Sequence, residues 1–125
     1  MTRILIVEDD PPTARLLGAA IVMSTPNCII EAVGDGKVAM NLLSQKHFDV
    51  VITDIFHEGM SGLNILSRIK DAPELQSIRV MVVSGHALGE IAQEAWKRGA
   101  DFVCAKPFEI RKFQRNLSRL VGRSI

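Results

Sequence analysis

Apolar residues in this chain fall into short unbroken runs separated by longer stretches of helical spacing. Ile4-Leu5-Ile6-Val7, Val50-Val51-Ile52 and Val80-Met81-Val82-Val83 show no polar alternation, which is the pattern of strands covered on both faces. The runs predict strands over Arg3–Val7, Cys28–Val33, Asp49–Thr53, Ile78–Val83 and Asp101–Cys104. Each is followed by a helical pattern. Ala14, Leu16, Leu17, Ala20 and Ile21 mark the first helix, from Pro11 to about Ser24, and Val38, Ala39, Leu42 and Leu43 the second. Leu63, Leu66 and Ile69 mark the third. The fourth runs from Leu88 to Arg98, and the last from Phe108 to Val121 with Ile110, Phe113, Leu117 and Leu120 along one side. Local signals agree: Asp10 before Pro11-Pro12 and Ser61 before the third pattern suit N-caps, Gly34-Asp35-Gly36 suits a turn, and Gly99 suits a helix end.

Strands and helices in strict alternation imply a parallel sheet with helices on both faces, because right-handed crossovers lay each helix on one side or the other. A closed barrel of this kind takes about eight such units, and the sequence has fewer. An open, doubly wound, flavodoxin-like sheet of order 2-1-3-4-5 therefore follows, read as one domain over residues 1–125. That order sets the first and third strands side by side, so the residues after Val7 and those after Thr53 share one crevice.

Composition narrows the function by exclusion. Lys and Arg number 15 against 14 Asp and Glu, so the net charge of +1 provides no global attraction to nucleic acid or membrane. The apolar run at the N-terminus stops at Glu8-Asp9-Asp10, too short for a signal peptide or a span. Cys28 and Cys104 lie on strands that this order places at opposite edges. They cannot pair, and they suit small apolar residues in a reducing cytoplasm.

The chemistry lies where the strands end. Phe48-Asp49-Val50-Val51-Ile52-Thr53-Asp54 closes a central strand on a carboxylate, at the position where open parallel sheets bind ligands. Glu8 and Asp9 come from the first strand, Ser84 from the fourth and Lys106 from the fifth. Crowded carboxylates repel one another unless they share a proton or a cation, and hard oxygen donors with open water positions suit Mg²⁺. Asp54 as nucleophile, a metal to neutralise charge, and an amine and a hydroxyl to hold oxygens are the parts that phosphoryl transfer needs. An aspartyl phosphate is the expected product.

Taken together, Ile4-Leu5-Ile6-Val7-Glu8-Asp9-Asp10, Asp54 with Gly59-Met60-Ser61-Gly62, Val82-Val83-Ser84-Gly85 and Lys106-Pro107-Phe108 resemble a two-component response-regulator receiver domain over essentially the whole chain. The resemblance implies that Asp54 accepts the phosphoryl group and that Ser84 and Lys106 contact it. It also implies that Glu8, Asp9 and Asp54 with the backbone carbonyl of Phe56 hold Mg²⁺. A histidine kinase or histidine phosphotransfer protein is the implied donor, and the face formed by the fourth helix, fifth strand and fifth helix is the implied output surface. Two positions depart from the family. Glu58 stands where proline is usual, and Val103 stands at the switch position where Tyr or Phe is usual.

Other readings compete with this one. Arg111, Arg115 and Arg119 with Lys112 form a basic run on the last helix, which is either a solvated face or a receiver of an acidic partner. DNA is the weaker option, since no base-reading motif accompanies it. A degenerate receiver acting as a phosphate-independent interaction module is the main alternative. An aspartate-nucleophile phosphatase is a third, disfavoured because Phe56 occupies the position of those enzymes' second acid.

Overall fold

Strands that are apolar at every position need cover on both faces, and the computed structural model provides it. It describes residues 1–55, 60–85, 89–106 and 109–124. The elements alternate as β1 (Thr2–Val7), α1 (Pro11–Ser24), β2 (Cys28–Val33), α2 (Gly36–Gln45), β3 (Val50–Asp54), α3 (Gly62–Asp71), β4 (Arg79–Ser84), α4 (Glu90–Lys97), β5 (Phe102–Ala105) and α5 (Ile110–Ser124). All strand pairs are parallel, in the order β2-β1-β3-β4-β5. This is the flavodoxin-like order that the sequence predicts.

Alternate residues of the central strands feed two separate cores. Ile4, Ile6, Val50, Ile52, Met81 and Val83 pack with Leu17, Ile21, Phe113 and Leu117 under α1 and α5. Leu5, Val7, Val51, Val80 and Val82 pack with Leu43, Ile65, Leu66 and Ile69 under α2 and α3, with Ala95 of α4. Each large apolar side chain so buried contributes roughly 1.5–3 kcal/mol relative to exposure, so the central strands are the most strongly held part of the fold.

The predicted helix stripes are narrower in the structure. Leu16, Val38 and Ile110 are 47%, 46% and 40% exposed. On α1 the buried positions are Leu17, Ala20 and Ile21, and Leu16 stands about 100° round the helix from Leu17. Val38 is displaced in the same way from the buried Ala39 of α2, and Ile110 begins α5 ahead of its buried residues Phe113, Leu117 and Leu120. The expected helix starts at Leu88 and Phe108 lie outside the described residues. Cys104 is buried as expected, Cys28 only partly, and both thiols are free on opposite edge strands.

Three predicted strand starts lie just before the strands, for reasons of hydrogen bonding. Asp49 Oδ2 accepts from the Arg3 N–H at 2.8 Å, and Asp101 Oδ2 accepts from the Val80 N–H at 2.8 Å and from Lys70 Nζ at 3.0 Å. These carboxylates satisfy donors where the sheet begins, while the Asp49 and Asp101 backbones bond to Arg3, Arg79 and Val80. Ile78 donates its N–H to the Leu75 carbonyl and closes the turn after α3. At the other end the strands run further than predicted, since β3 includes Asp54, β4 Ser84 and β5 Ala105.

Candidate functional site

The four strand ends bring their side chains to one place. Lys106, directly after β5, donates from Nζ to Glu8 Oε1 at 2.5 Å and to Asp54 Oδ2 at 2.8 Å. Two carboxylates from β1 and β3 thus share one ammonium from the far edge of the sheet. The backbone fixes this meeting as well: the Lys106 N–H donates to the Ser84 carbonyl at 2.9 Å, which ties the end of β5 to the end of β4. Ser84 itself is fully buried.

Glu8 is held from two sides. Its residue is 5% exposed, and its second oxygen accepts the Asp10 N–H at 3.2 Å. Asp10 is the N-cap of α1 and accepts from the Thr13 N–H at 3.1 Å and from the Thr13 hydroxyl. These hydrogen bonds from Thr13 hold the Asp10 carboxyl below its ordinary pKa. The cap that starts α1 therefore also aims the backbone donor that orients Glu8.

Lys106 shows competing electrostatic effects. Burial alone would lower its pKa, but the hydrogen bonds it donates to Asp54 and Glu8, with their charges, outweigh burial and raise it above the ordinary lysine value. The ammonium is thus firmly charged at neutral pH. A buried glutamate and a strand-end aspartate are both compensated by it.

On the far side, Gly62 lets α3 approach Asp54. A Cβ at this residue would lie 2.0 Å from the Asp54 carbonyl oxygen, so only glycine fits. The Gly62 N–H donates to the Ile55 carbonyl at 2.9 Å, and Ser61 caps α3 by accepting the Asn64 N–H at 3.3 Å. Thr53, fully buried, donates its hydroxyl to the Asp54 carbonyl at 2.9 Å. Sequence reasoning missed both supports. A threonine in a β-branched run reads as a strand former, and a glycine after the capping Ser61 reads only as the start of a helix.

Of the expected site residues, the structure brings together Glu8, Asp54 and Lys106 and places Ser84 beside Lys106. Asp9 follows Glu8 and is exposed. Among the described residues no group of three or more His, Cys, Asp and Glu forms a ready metal centre. Glu8 and Asp54 nevertheless offer the hard oxygen donors that Mg²⁺ takes, and the charge they share already attracts a cation, that of Lys106. With the exposed Asp9 carboxylate next to them, the donor set fits the ion. Phe56, His57, Glu58 and His86 lie outside the described residues. Val103 is partly buried on β5, paired in register with Val82. A cavity of about 580 Å³ lined by Thr25, Asn27, Asp49 and Ser118 opens at the opposite end of the sheet, away from this chemistry.

Known proteins share both the sequence pattern and the fold. A family model described as response regulator receiver domain matches residues 4–118. The chain is 28% identical over 118 residues to the transcriptional regulatory protein MalR of Bacillus subtilis, covering 94% of this chain and 49% of that protein. It is 30% identical over 121 residues to chemotaxis protein CheY-3 of Vibrio cholerae, covering 97% of this chain and 92% of that one. The chain thus spans about half the length of MalR and nearly all of CheY-3. The crystal structure of the signal receiver domain of a DNA-binding response regulator from Colwellia psychrerythraea superposes with a TM-score of 0.91 at 28% identity, covering 98% of this chain and 99% of that one. The receiver domain of sensor histidine kinase PA1611 from Pseudomonas aeruginosa, which has a magnesium ion coordinated in its active-site cleft, gives a TM-score of 0.85 at 22% identity, covering 97% and 98% of the two chains.

Proposed function

This chain belongs to the response regulator receiver domain family, and from that premise we propose that Asp54 is its phosphoacceptor. The observation that carries the proposal is the Lys106 ammonium held between Asp54 and Glu8 at the ends of three parallel strands. Receivers are signalling domains of two-component systems, and the chemistry assigned to Asp54 serves that signal.

The step is a transfer between two protein side chains. One oxygen of the Asp54 carboxylate attacks the phosphorus of a phosphohistidine, and the new O–P bond forms as the P–N bond breaks. The imidazole nitrogen leaves with the electron pair and takes up a proton. Lys106 holds the Asp54 carboxylate in place before transfer, then offers its N–H groups to the phosphoryl oxygens. The buried Glu8 anchors the ammonium. Ser84, at the neighbouring strand end, provides a hydroxyl for a phosphoryl oxygen. Mg²⁺, when bound through Glu8, Asp9, Asp54 and the Phe56 carbonyl, neutralises charge on the transferring group. The donor is a histidine kinase or a histidine phosphotransfer protein. The output is a changed protein contact on the face of α4, β5 and α5, reached by a population shift. A cytoplasmic location accords with this partner set, and no described helix is long and apolar enough to cross a membrane.

The test is intact-protein mass spectrometry after incubation with acetyl phosphate and Mg²⁺. A single phosphoryl adduct is expected in the parent and none in Asp54→Asn; an adduct that survives the substitution overturns the assignment. A phosphate-independent interaction module is the second reading, favoured by the non-aromatic Val103 on the output face. Equal partner binding by the parent, phosphorylated or not, and by Asp54→Asn would establish it instead.

A further inference from the structure

We propose that the open edge of β5, beside α5, binds an extended acidic segment of the downstream partner as a sixth strand of the sheet. The proposal rests on the output surface assigned above and names what that surface recognises.

The backbone makes the case first. β5 is a terminal strand, so one side of it pairs with β4 and no described strand covers the other. The Asp101 N–H donates to the Val80 carbonyl, which turns that residue's backbone groups towards β4. By strand alternation Val103 faces the same way, while Phe102 and Cys104 turn their N–H and C=O groups outward. An unpaired row of this kind is a template for an added strand unless something blunts it. β5, Phe-Val-Cys-Ala, contains no proline or charge to do so.

The surroundings then select the occupant. A groove of about 350 Å³ runs along this edge, floored by β5 and walled by Glu109, Lys112 and Asn116 of α5. Helical spacing sets Arg115 and Arg119 on the solvent side of that wall, and Arg115, Arg119 and Lys112 are all exposed. Glu109 is the one opposing acid on the wall, and Lys112 already lies 3.7 Å from it. The rim is therefore net basic. On the opposite edge strand, β2, Glu31 puts an acid on the strand itself, paired with Lys46 at 2.9 Å. Charge complementarity favours an acidic chain on β5 and gives no such preference on β2.

The position also couples the groove to the phosphoacceptor. Lys106 follows the last residue of β5 and bonds Asp54 directly. A phosphoryl group on Asp54 draws on the same ammonium, so a strand added to β5 and a phosphoryl group on Asp54 bias one element. By linkage, whatever phosphorylation does to peptide affinity, the peptide does to phosphorylation in equal measure.

The test uses a six-residue capped peptide alternating valine and glutamate, a valine–lysine counterpart, and two valine–glutamate peptides N-methylated at odd or at even positions. Trp96 reports binding, since it is the sole tryptophan and its ring meets Phe102 edge-on with centroids 6.0 Å apart at the end of the groove. The acidic peptide is expected to bind, and the basic one to fail. One N-methylated peptide should lose binding while the other keeps it, because only one set of N–H groups faces β5. Lys112→Glu with Arg119→Glu should weaken the acidic peptide about tenfold or more. No binding, or equal effects of both methylation patterns, overturns the proposal. Mass spectrometry of the same samples separates the two failures. A phosphorylated chain that ignores the peptide defeats the strand proposal alone, whereas a chain that adds the peptide as a strand but takes no phosphoryl group defeats the phosphoacceptor reading alone.

Discussion

Lys106 Nζ lies 2.5 Å from Glu8 Oε1, and the two residues are 98 positions apart in the chain. The glutamate side chain is 2% exposed and the lysine side chain 23%, so the carboxylate depends on the ammonium more than the reverse. Lys106→Met should therefore destabilise the fold by about 1–3 kcal/mol, below the cost of breaking a fully buried pair because water reaches the lysine. Adding Glu8→Gln removes the stranded charge and should recover most of the loss. Urea melts of the single and double variants check this, and a double variant no more stable than Lys106→Met would contradict it.

The same pair sets a pH dependence. The Lys106 pKa is raised in the folded state above its ordinary value of 10.5. A raised pKa means that the folded chain binds this proton more tightly than the unfolded chain. The stabilisation is thus complete below about pH 10.4, the ordinary lysine range, and is lost as pH rises through the folded value. Parent and Lys106→Met should keep a constant gap in unfolding free energy from neutral pH to pH 9, and the gap should narrow above pH 10.5. A gap that widens in alkali would reverse the sign and refute the assignment.

Two glycines predict opposite outcomes for one substitution. At Gly62 a methyl group would fall 2.0 Å from the Asp54 carbonyl oxygen, backbone that cannot swing aside. Gly62→Ala should cost about 1–3 kcal/mol or more and slow Asp54 phosphorylation, since β3 or α3 must shift. At Gly18, inside α1, nothing lies within 4 Å of the added carbon. Gly18→Ala should stabilise by about 0.5–1 kcal/mol, from the lower entropy of the unfolded chain. Thermal melts with phosphorylation kinetics decide both.

How much of this could be read from the sequence depended on whether the signal was local. The strands were visible because Ile4-Leu5-Ile6-Val7 and Val80-Met81-Val82-Val83 are buried on both sides, and burial on both sides leaves no polar alternation. The strand order followed from setting aside a barrel in favour of the open flavodoxin-like sheet, and it brought Glu8 and Asp54 to adjacent strands, as found. What escaped was contact across the fold. Nothing near Asp49 or Asp101 in the chain shows that their carboxylates end the sheet, and nothing near Gly62 shows that a carbonyl lies against it. Of the three acids expected to converge, Glu8 and Asp54 share the ammonium of Lys106, and Asp9, next to Glu8 in the chain, is exposed.

Under the proposed ligand set, Mg²⁺ and Lys106 would be rivals for the same oxygens, and that rivalry can be measured without any phosphate present. Asp9 is exposed, so Asp9→Ala should change stability by no more than about 0.5 kcal/mol. It removes a full charge from the proposed ligand set, however, and should raise the Mg²⁺ Kd about tenfold or more. Lys106→Met should act in the opposite direction. It removes the ammonium's hydrogen bonds to Glu8 Oε1 and Asp54 Oδ2 and a positive charge between them, so Mg²⁺ should bind more tightly than in the parent. Calorimetric titration of the three proteins at neutral pH orders the affinities. If Asp9→Ala binds as well as the parent, the ion is held elsewhere; if Lys106→Met binds more weakly, the ammonium supports the metal site and the rivalry is refuted.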